Sequence, residues 1–145
     1  MDRFEKRSLA LALALILIFF GLVLYASRGL GIEVPTCLPQ ATLFDKGELV
    51  QLGEGRYQLN LVARMWTFEP AQIEIPRGAT VDLYLTSADV VHGLHITHTN
   101  ANLMAIPGAV GYTRLRLDKP GEYKIVCHEY CGTGHQTMAG YIVVK

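Results

Sequence analysis

The chain has no surplus of charge of either sign. Thirteen basic side chains face thirteen acidic ones and the formal net charge is zero, so its electrostatics give no reason to expect a nucleic-acid partner. It has no helical repeat and no low-complexity segment. It also lacks an acid–base pair that would do chemistry on a substrate of its own. Cysteine is scarce, with three in 145 residues, and histidine numbers five. Two of the three cysteines lie four residues apart.

Cys127, Cys131, His135 and Met138 fall within twelve residues, spaced C-x3-C-x3-H-x2-M. Thiolate and imidazole together select copper, zinc or iron–sulfur over hard ions. Zinc sites use Cys, His, Asp or Glu, whereas a weak Met ligand beside His and Cys is a copper habit. A mononuclear blue-copper site needs one thiolate, and this stretch offers two. Two thiolates four residues apart can bridge two metals if the segment is a tight loop, which Gly132 and Gly134 suit. The residues alone leave two other readings open. Cys127 and Cys131 could form a disulfide, with His135 and Met138 as ordinary loop residues. Zinc is the other, although the usual C-x2-C spacing is absent.

Residues 8–27 hold no charge and are dominated by Leu, Ala, Ile and Phe. A helix of that length spans roughly 30 Å, the thickness of a bilayer core. Arg3, Lys6 and Arg7 precede it and only Arg28 follows closely. The positive-inside rule therefore predicts a cytoplasmic N-terminus, with everything after Arg28 outside. The competing reading is a cleaved signal peptide, but the apolar run is long for one and no clear A-x-A site follows. The expected organisation is a cytoplasmic stub and transmembrane helix over 1–28, a connector over 29–55 and a folded domain over 56–145.

Gly29, Gly31, Pro35 and Pro39 punctuate the connector, and 45–48 reads as an exposed turn. Cys37 lies there as the odd cysteine, expected to be a free thiol or an intermolecular bridge. From Arg56 the pattern alternates with period two. Tyr57, Leu59, Leu61 and Ala63 mark one half-buried strand; Ile73 and Ile75, then Val81, Leu83 and Leu85, mark the next two. Thr113, Leu115 and Leu117 follow, then Tyr123, Ile125 and Cys127, and a last strand over 141–145. Many short strands separated by turns predict an all-β sandwich or barrel, without separating a cupredoxin from an immunoglobulin-like fold. Met65 and Met104 read as core packing.

The soft-ligand stretch resembles the CuA loop of cytochrome c oxidase subunit II, C-x-E-x-C-G-x-x-H-x-x-M. Cys127, Glu129, Cys131, Gly132, His135 and Met138 match its fixed positions, and Val90-Val91-His92 matches its upstream V-x-H. The single apolar helix looks more like the compact subunit II of ba3-type oxidases. The resemblance implies an all-β, cupredoxin-like Greek-key barrel preceded by one N-terminal transmembrane helix, in the cell inner membrane with the copper domain periplasmic. It implies a binuclear copper centre, CuA. Cys127 and Cys131 bridge both ions, His92 with Met138 completes one, and His135 with the Glu129 carbonyl completes the other. The Glu129 side chain is left free for a magnesium ion at the interface with subunit I. The implied function is electron entry into a haem–copper oxidase. Cytochrome c, or a comparable carrier, donates, and haem in subunit I receives.

His95 and His98 match no motif position and read as surface or satisfied polar residues; His128 reads as a loop residue beside the site. One departure from the family pattern concerns the aromatic run W-Y-W before x-Y-E. Aligned on Trp66-Thr67-Phe68-Glu69, it puts Arg64 where the first Trp would stand. Trp66, or another group at the rim, then becomes the candidate for electron entry. The alternative functions are a membrane-anchored copper chaperone and a mononuclear cupredoxin electron carrier.

Overall fold

The computed structural model describes residues 2–30, 32, 36–38 and 42–145. The chain divides into two units, Met1–Glu33 and Val34–Lys145.

The first unit is a helix, α1 (Arg3–Gly29). Asp2 caps its first turn. The Glu5 backbone N–H donates to the Asp2 carboxylate (2.8 Å), and the Glu5 carboxylate accepts the Asp2 backbone N–H (2.7 Å), a reciprocal capping box that satisfies two otherwise orphaned donors. Arg28 lies in the last turn, where a cation complements the helix dipole. The 27 residues reach about 40 Å, extending the predicted apolar stretch at both ends. No residue of α1 is buried within the chain. Among the described residues it is the one helix long and apolar enough to cross a membrane.

The second unit consists of strands in two sheets. One sheet contains β1 (Thr36–Cys37), β2 (Glu48–Gly53), β3 (Arg56–Arg64), β4 (Thr67–Glu69), β6 (Ala79–Ser87) and β9 (Gly111–Leu117). Its order is β1-β9-β6-β3-β2, with β4 paired to β3. The other contains β5 (Gln72–Ile75), β7 (His92–Ile96), β8 (Asn102–Ala105), β10 (Gly121–Val126) and β11 (Ala139–Val144), in the order β5-β11-β10-β7-β8. The chain leaves the first sheet after β4, contributes β5 to the second and returns as β6. That excursion makes β3 and β6 parallel neighbours, and β5 and β11 pair in parallel as well.

Most inward residues are those the alternation marked, whereas Leu94 and Ile96 of β7 and Leu103 of β8 lie in strands it did not mark. Leu59, Leu61 and Ala63 of β3, Val81, Leu83 and Leu85 of β6, and Leu115 and Leu117 of β9 meet Ile73, Ile75, Leu94, Ile96, Ile125 and Ile142 from the other sheet. Each Val, Leu or Ile among them contributes about 1.5–3 kcal/mol by leaving water. Phe68 is fully buried among them.

Several details differ from the sequence reading. Two strands, β1 and β2, lie inside the stretch read as a connector; β2 forms a hairpin with β3 and pairs Leu49 with Leu59. β3 is half-buried only at its start, because residues 60–63 are buried on both faces. Met65 and Met104 are not in the core. Met65 sits at the exposed tip between β3 and β4, and Met104 occupies an outward position of edge strand β8. The expectation for the Cys37 thiol, and the connector breakers Gly31, Pro35 and Pro39, lie outside the described residues.

Asp82 lies on the outer face of β6 and is nevertheless buried. Its carboxylate accepts from Arg114 Nε (2.7 Å), the Tyr112 hydroxyl (2.8 Å) and Arg56 Nη2 (3.2 Å). These bonds fasten β3, β6 and β9 to one another across the sheet.

Candidate metal centre

The site forms where strand ends converge. β10 delivers Cys127 one residue past its last pair, and β7 opens with His92. Antiparallel pairing of Val126 with His95 and Ile125 with Ile96 puts both at the same end of the second sheet. The segment 127–138 then loops back into β11. The Gly132 carbonyl accepts the His135 N–H (3.0 Å), the Gly134 carbonyl accepts the Thr137 N–H (3.0 Å), and the His135 carbonyl accepts the Met138 N–H (3.2 Å). A short 3₁₀ turn, His135–Thr137, results. Gly132 has φ of +117°, a conformation that a side chain would strain.

Within this end the soft donors face one another. The thiols of Cys127 and Cys131 are 3.8 Å apart. His92 Nδ1 lies 4.0 Å from the Cys127 sulfur, and His135 Nδ1 lies 3.6 Å from the Cys131 sulfur. Met138 Sδ is 3.7 Å from Cys131, and the Glu129 carbonyl is 3.3 Å from Cys127. The donor atoms of His92, Cys127 and Cys131 all lie within 4.8 Å of one another. His92, Cys127, Cys131 and Met138 are buried, whereas His135 is half-buried and the Glu129 side chain is exposed. All six residues singled out in the sequence are thus brought together, Glu129 by its carbonyl. Two thiols, two imidazole nitrogens, a thioether and a carbonyl form a donor set that fits copper.

Burial, together with the neighbouring Cys127 thiol and the Asp89 carboxylate, pushes the Cys131 thiol up to about 11. For Asp89, burial would raise the carboxyl. Hydrogen bonds from His92 and from the backbone N–H groups of Met65 and Val90 outweigh it and hold the group below its ordinary 3.8.

The surroundings show contacts of Trp66 and His128 that their sequence positions did not give, and one group, Asp89, that was not singled out. Trp66 packs on the loop: a Cβ added at Gly134 would lie 2.5 Å from its indole Cδ2, and one at Gly132 would lie 3.3 Å from its Nε1. Gly134 is therefore glycine because the indole occupies the space of a side chain. His128 packs its ring on Gly93, where an added Cβ would collide with the imidazole, so it rests against the residue next to His92. Asp89 contacts His92 directly. The only sequence signal for it was a carboxylate three positions before a candidate ligand. His95 Nδ1 donates to the Ala101 carbonyl (3.2 Å), and His98 stacks edge-on to Tyr123; both are satisfied groups away from the cluster.

Comparison with known proteins places these features in a family. Residues 58–145 match the family model described as cytochrome c oxidase subunit II, periplasmic domain. A cytochrome c oxidase subunit 2 of Thermus thermophilus is 36% identical over 98% of this chain and 92% of its own length. A second Thermus thermophilus subunit 2 sequence is 44% identical over 67% of this chain and 72% of its own. Among solved structures, a chain of a heme-copper terminal oxidase dimer superposes with a TM-score of 0.86 at 51% identity, covering 99% of this chain and all of its own. The periplasmic domain of subunit II from Bradyrhizobium japonicum, at 19% identity and a TM-score of 0.57 over 71% of this chain and 88% of its own, shares the fold.

Proposed function

Because the chain belongs to the cytochrome c oxidase subunit II family and so to a terminal oxidase complex, we propose that its β domain is the electron-entry module of that complex, built around a binuclear CuA centre. The observation that carries this reading is the pair of buried thiols 3.8 Å apart, flanked by one imidazole on each side. Cys127 and Cys131 would bridge the ions, with His92 and Met138 on one and His135 and the Glu129 carbonyl on the other. When bound, such a pair supplies one-electron chemistry with the charge shared through two thiolates. The residues of the chain hold the donor set between the start of β7 and the loop joining the paired strands β10 and β11, keep water off His92 and Met138, and restrict movement between oxidation states. Cytochrome c is the proposed donor and haem in subunit I the proposed acceptor. The exposed Glu129 carboxylate is available for a magnesium ion at that interface.

The rim around the site carries an apolar patch beside the exposed Glu129 and His128. Met65, Trp66, Val90, Val91 and Tyr130 are all exposed and belong to segments that touch or carry the donor set. Arg64, which stands where the family pattern has an aromatic residue, is tied to Glu69 (3.4 Å) and to the Asp45 carbonyl (2.7 Å). Its charge is compensated locally, and Trp66 is the aromatic group seated between solvent and the copper loop. We take Trp66 as the entry residue. The basic cluster in the first turns of α1, ahead of its apolar stretch, favours a cytoplasmic N-terminus and a periplasmic domain.

Burial of the donors also separates this reading from a copper chaperone, which must release its metal readily. The full-length chain, purified in detergent and loaded with copper, tests both points. Two coppers per chain sharing one unpaired electron in the EPR spectrum are expected. One copper with a mononuclear spectrum would move the chain to the carrier reading, and rapid loss to a mild chelator would move it to the chaperone reading.

A further inference from the structure

Asp89 occupies the turn between β6 and β7 and makes more contacts than a turn residue needs. Its Oδ1 lies 2.7 Å from Nε2 of His92 and accepts the Val90 N–H at 2.7 Å. Its Oδ2 accepts the Met65 N–H at 2.7 Å, from the tip between β3 and β4. Ser87 supports the same turn, accepting the Asp89 N–H (3.2 Å) and donating to the Val90 carbonyl.

An ionised carboxylate only accepts, so Nε2 of His92 carries the proton and Nδ1 presents its lone pair. Nδ1 is the nitrogen that faces Cys127. His92 is fully buried, so without Asp89 its Nε2–H would have no water to turn to. The second oxygen acts on a different element. Met65 precedes Trp66, and Trp66 lies on Gly132 and Gly134 of the loop carrying Cys131 and His135.

We propose that Asp89 is a positioning residue with two separable tasks: one carboxylate oxygen fixes His92 in the tautomer that offers Nδ1 to the metal, and the other fastens the Met65–Trp66 tip so that the indole stays seated on the copper loop. The first task rests on the binuclear-copper reading. The second does not, because the Met65 bond and the seat of Trp66 belong to the protein alone. The division makes the aromatic rim and the first histidine two ends of one clamp.

The chain holds a single tryptophan, so its fluorescence reports on Trp66 only. In Asp89→Ala both tasks are lost. Copper affinity of the full-length chain falls about 10–100-fold, the usual penalty for removing the outer partner of a ligating histidine. In the copper-free protein Trp66 emission shifts to the red and acrylamide quenching rises. In Asp89→Asn the amide oxygen can stay toward His92 and Val90, which keeps two bonds, while the amide nitrogen cannot accept from Met65. Its copper affinity stays near that of the unaltered chain, whereas the Trp66 signals move as in the alanine variant. Ser87→Ala removes the hydroxyl that bonds the turn backbone and makes a long 3.4 Å contact to Asp89 Oδ1, but it leaves the shorter bonds to His92 and Met65 in place, so both readouts move far less than in Asp89→Ala.

Unchanged copper affinity in Asp89→Ala, or unmoved Trp66 signals in both Asp89 variants, would overturn the proposal. So would a Ser87→Ala variant that reproduced Asp89→Ala, because turn integrity would then explain everything. Copper stoichiometry of the unaltered chain judges the binuclear reading separately. The tryptophan signals of copper-free protein judge the clamp whatever that stoichiometry is.

Discussion

At the scale of single residues, the chemistry depends on protons as much as on metal. Cys131 holds its proton to about pH 11, because a thiolate there would be buried beside a second sulfur and near the Asp89 carboxylate. A thiolate is the metal-binding form, so loading must expel that proton. Copper affinity of the metal-free chain is therefore expected to rise with pH, by about tenfold per unit for each proton released. Competition titrations between pH 6 and 8 would measure it, and a flat profile would show that the thiols are already ionised. The same shift acts on the copper-free fold with the opposite sense. Its folded value lies above the ordinary 9.0, so the stability it contributes is fully present below pH 9.0 and is lost as pH rises toward about 11.

Most of these residues could be read from the sequence because metal donors are chemically rare and sit at fixed spacings. Cys127, Cys131, His135 and Met138 declared themselves by type and interval. His92 needed a motif, since a lone histidine has no signal of its own. Asp89 and the seat of Trp66 stayed hidden for a physical reason. Aspartate is common in turns, and only the folded structure shows that its two oxygens reach different elements.

At the scale of elements, period two exposed β3, β5, β6, β9 and β10, but not β4 and β8, which are too short to show a period, nor β7, which is buried on both faces. It missed β2, whose residues are mostly exposed and so carry no apolar alternation; its place is set by hydrogen bonding to β3. The cross-sheet knot at Asp82 was equally invisible, because its partners Arg56, Tyr112 and Arg114 come from two distant strands. Burial raises the Asp82 carboxyl, but hydrogen bonds from Arg114, Tyr112 and Arg56 outweigh that and hold it below 3.8. Its contribution is present above the ordinary carboxylate value and is lost as pH falls through the lower folded value. Asp82→Asn should cost about 1–3 kcal/mol in denaturant unfolding, since charge-assisted bonds become neutral ones and one arginine loses its acceptor. A change within a few tenths of a kcal/mol would mean that the half-exposed arginines simply turn to water.

At the scale of the whole molecule, one unit is a bare apolar helix and the other a β domain with its donors gathered at one end. On the proposed electron-entry role, the zero net charge of the chain, the apolar patch at the rim and the locally paired Arg64 imply that a carrier would meet this domain by apolar contact more than by steering. Electron transfer from the native carrier is expected to vary little between roughly 20 and 200 mM salt, because screening weakens long-range charge attraction and leaves apolar burial intact. A rate falling steeply over that range in stopped-flow measurements would contradict this.

The distance along the chain between His92 and Cys127, 35 residues, also sets an order of events in biogenesis. A chain emerging from synthesis offers its first histidine long before any sulfur of the loop exists, and that imidazole turns toward the thiols only once β7 and β10 have paired. The loop itself is closed by the Cys127 N–H reaching the Met138 carbonyl at 3.4 Å, just ahead of β11. Nascent or half-folded chains therefore cannot form the complete donor set. Copper held by His92 as well as by the loop would therefore report that β7 and β10 have paired, which copper held by the loop alone would not.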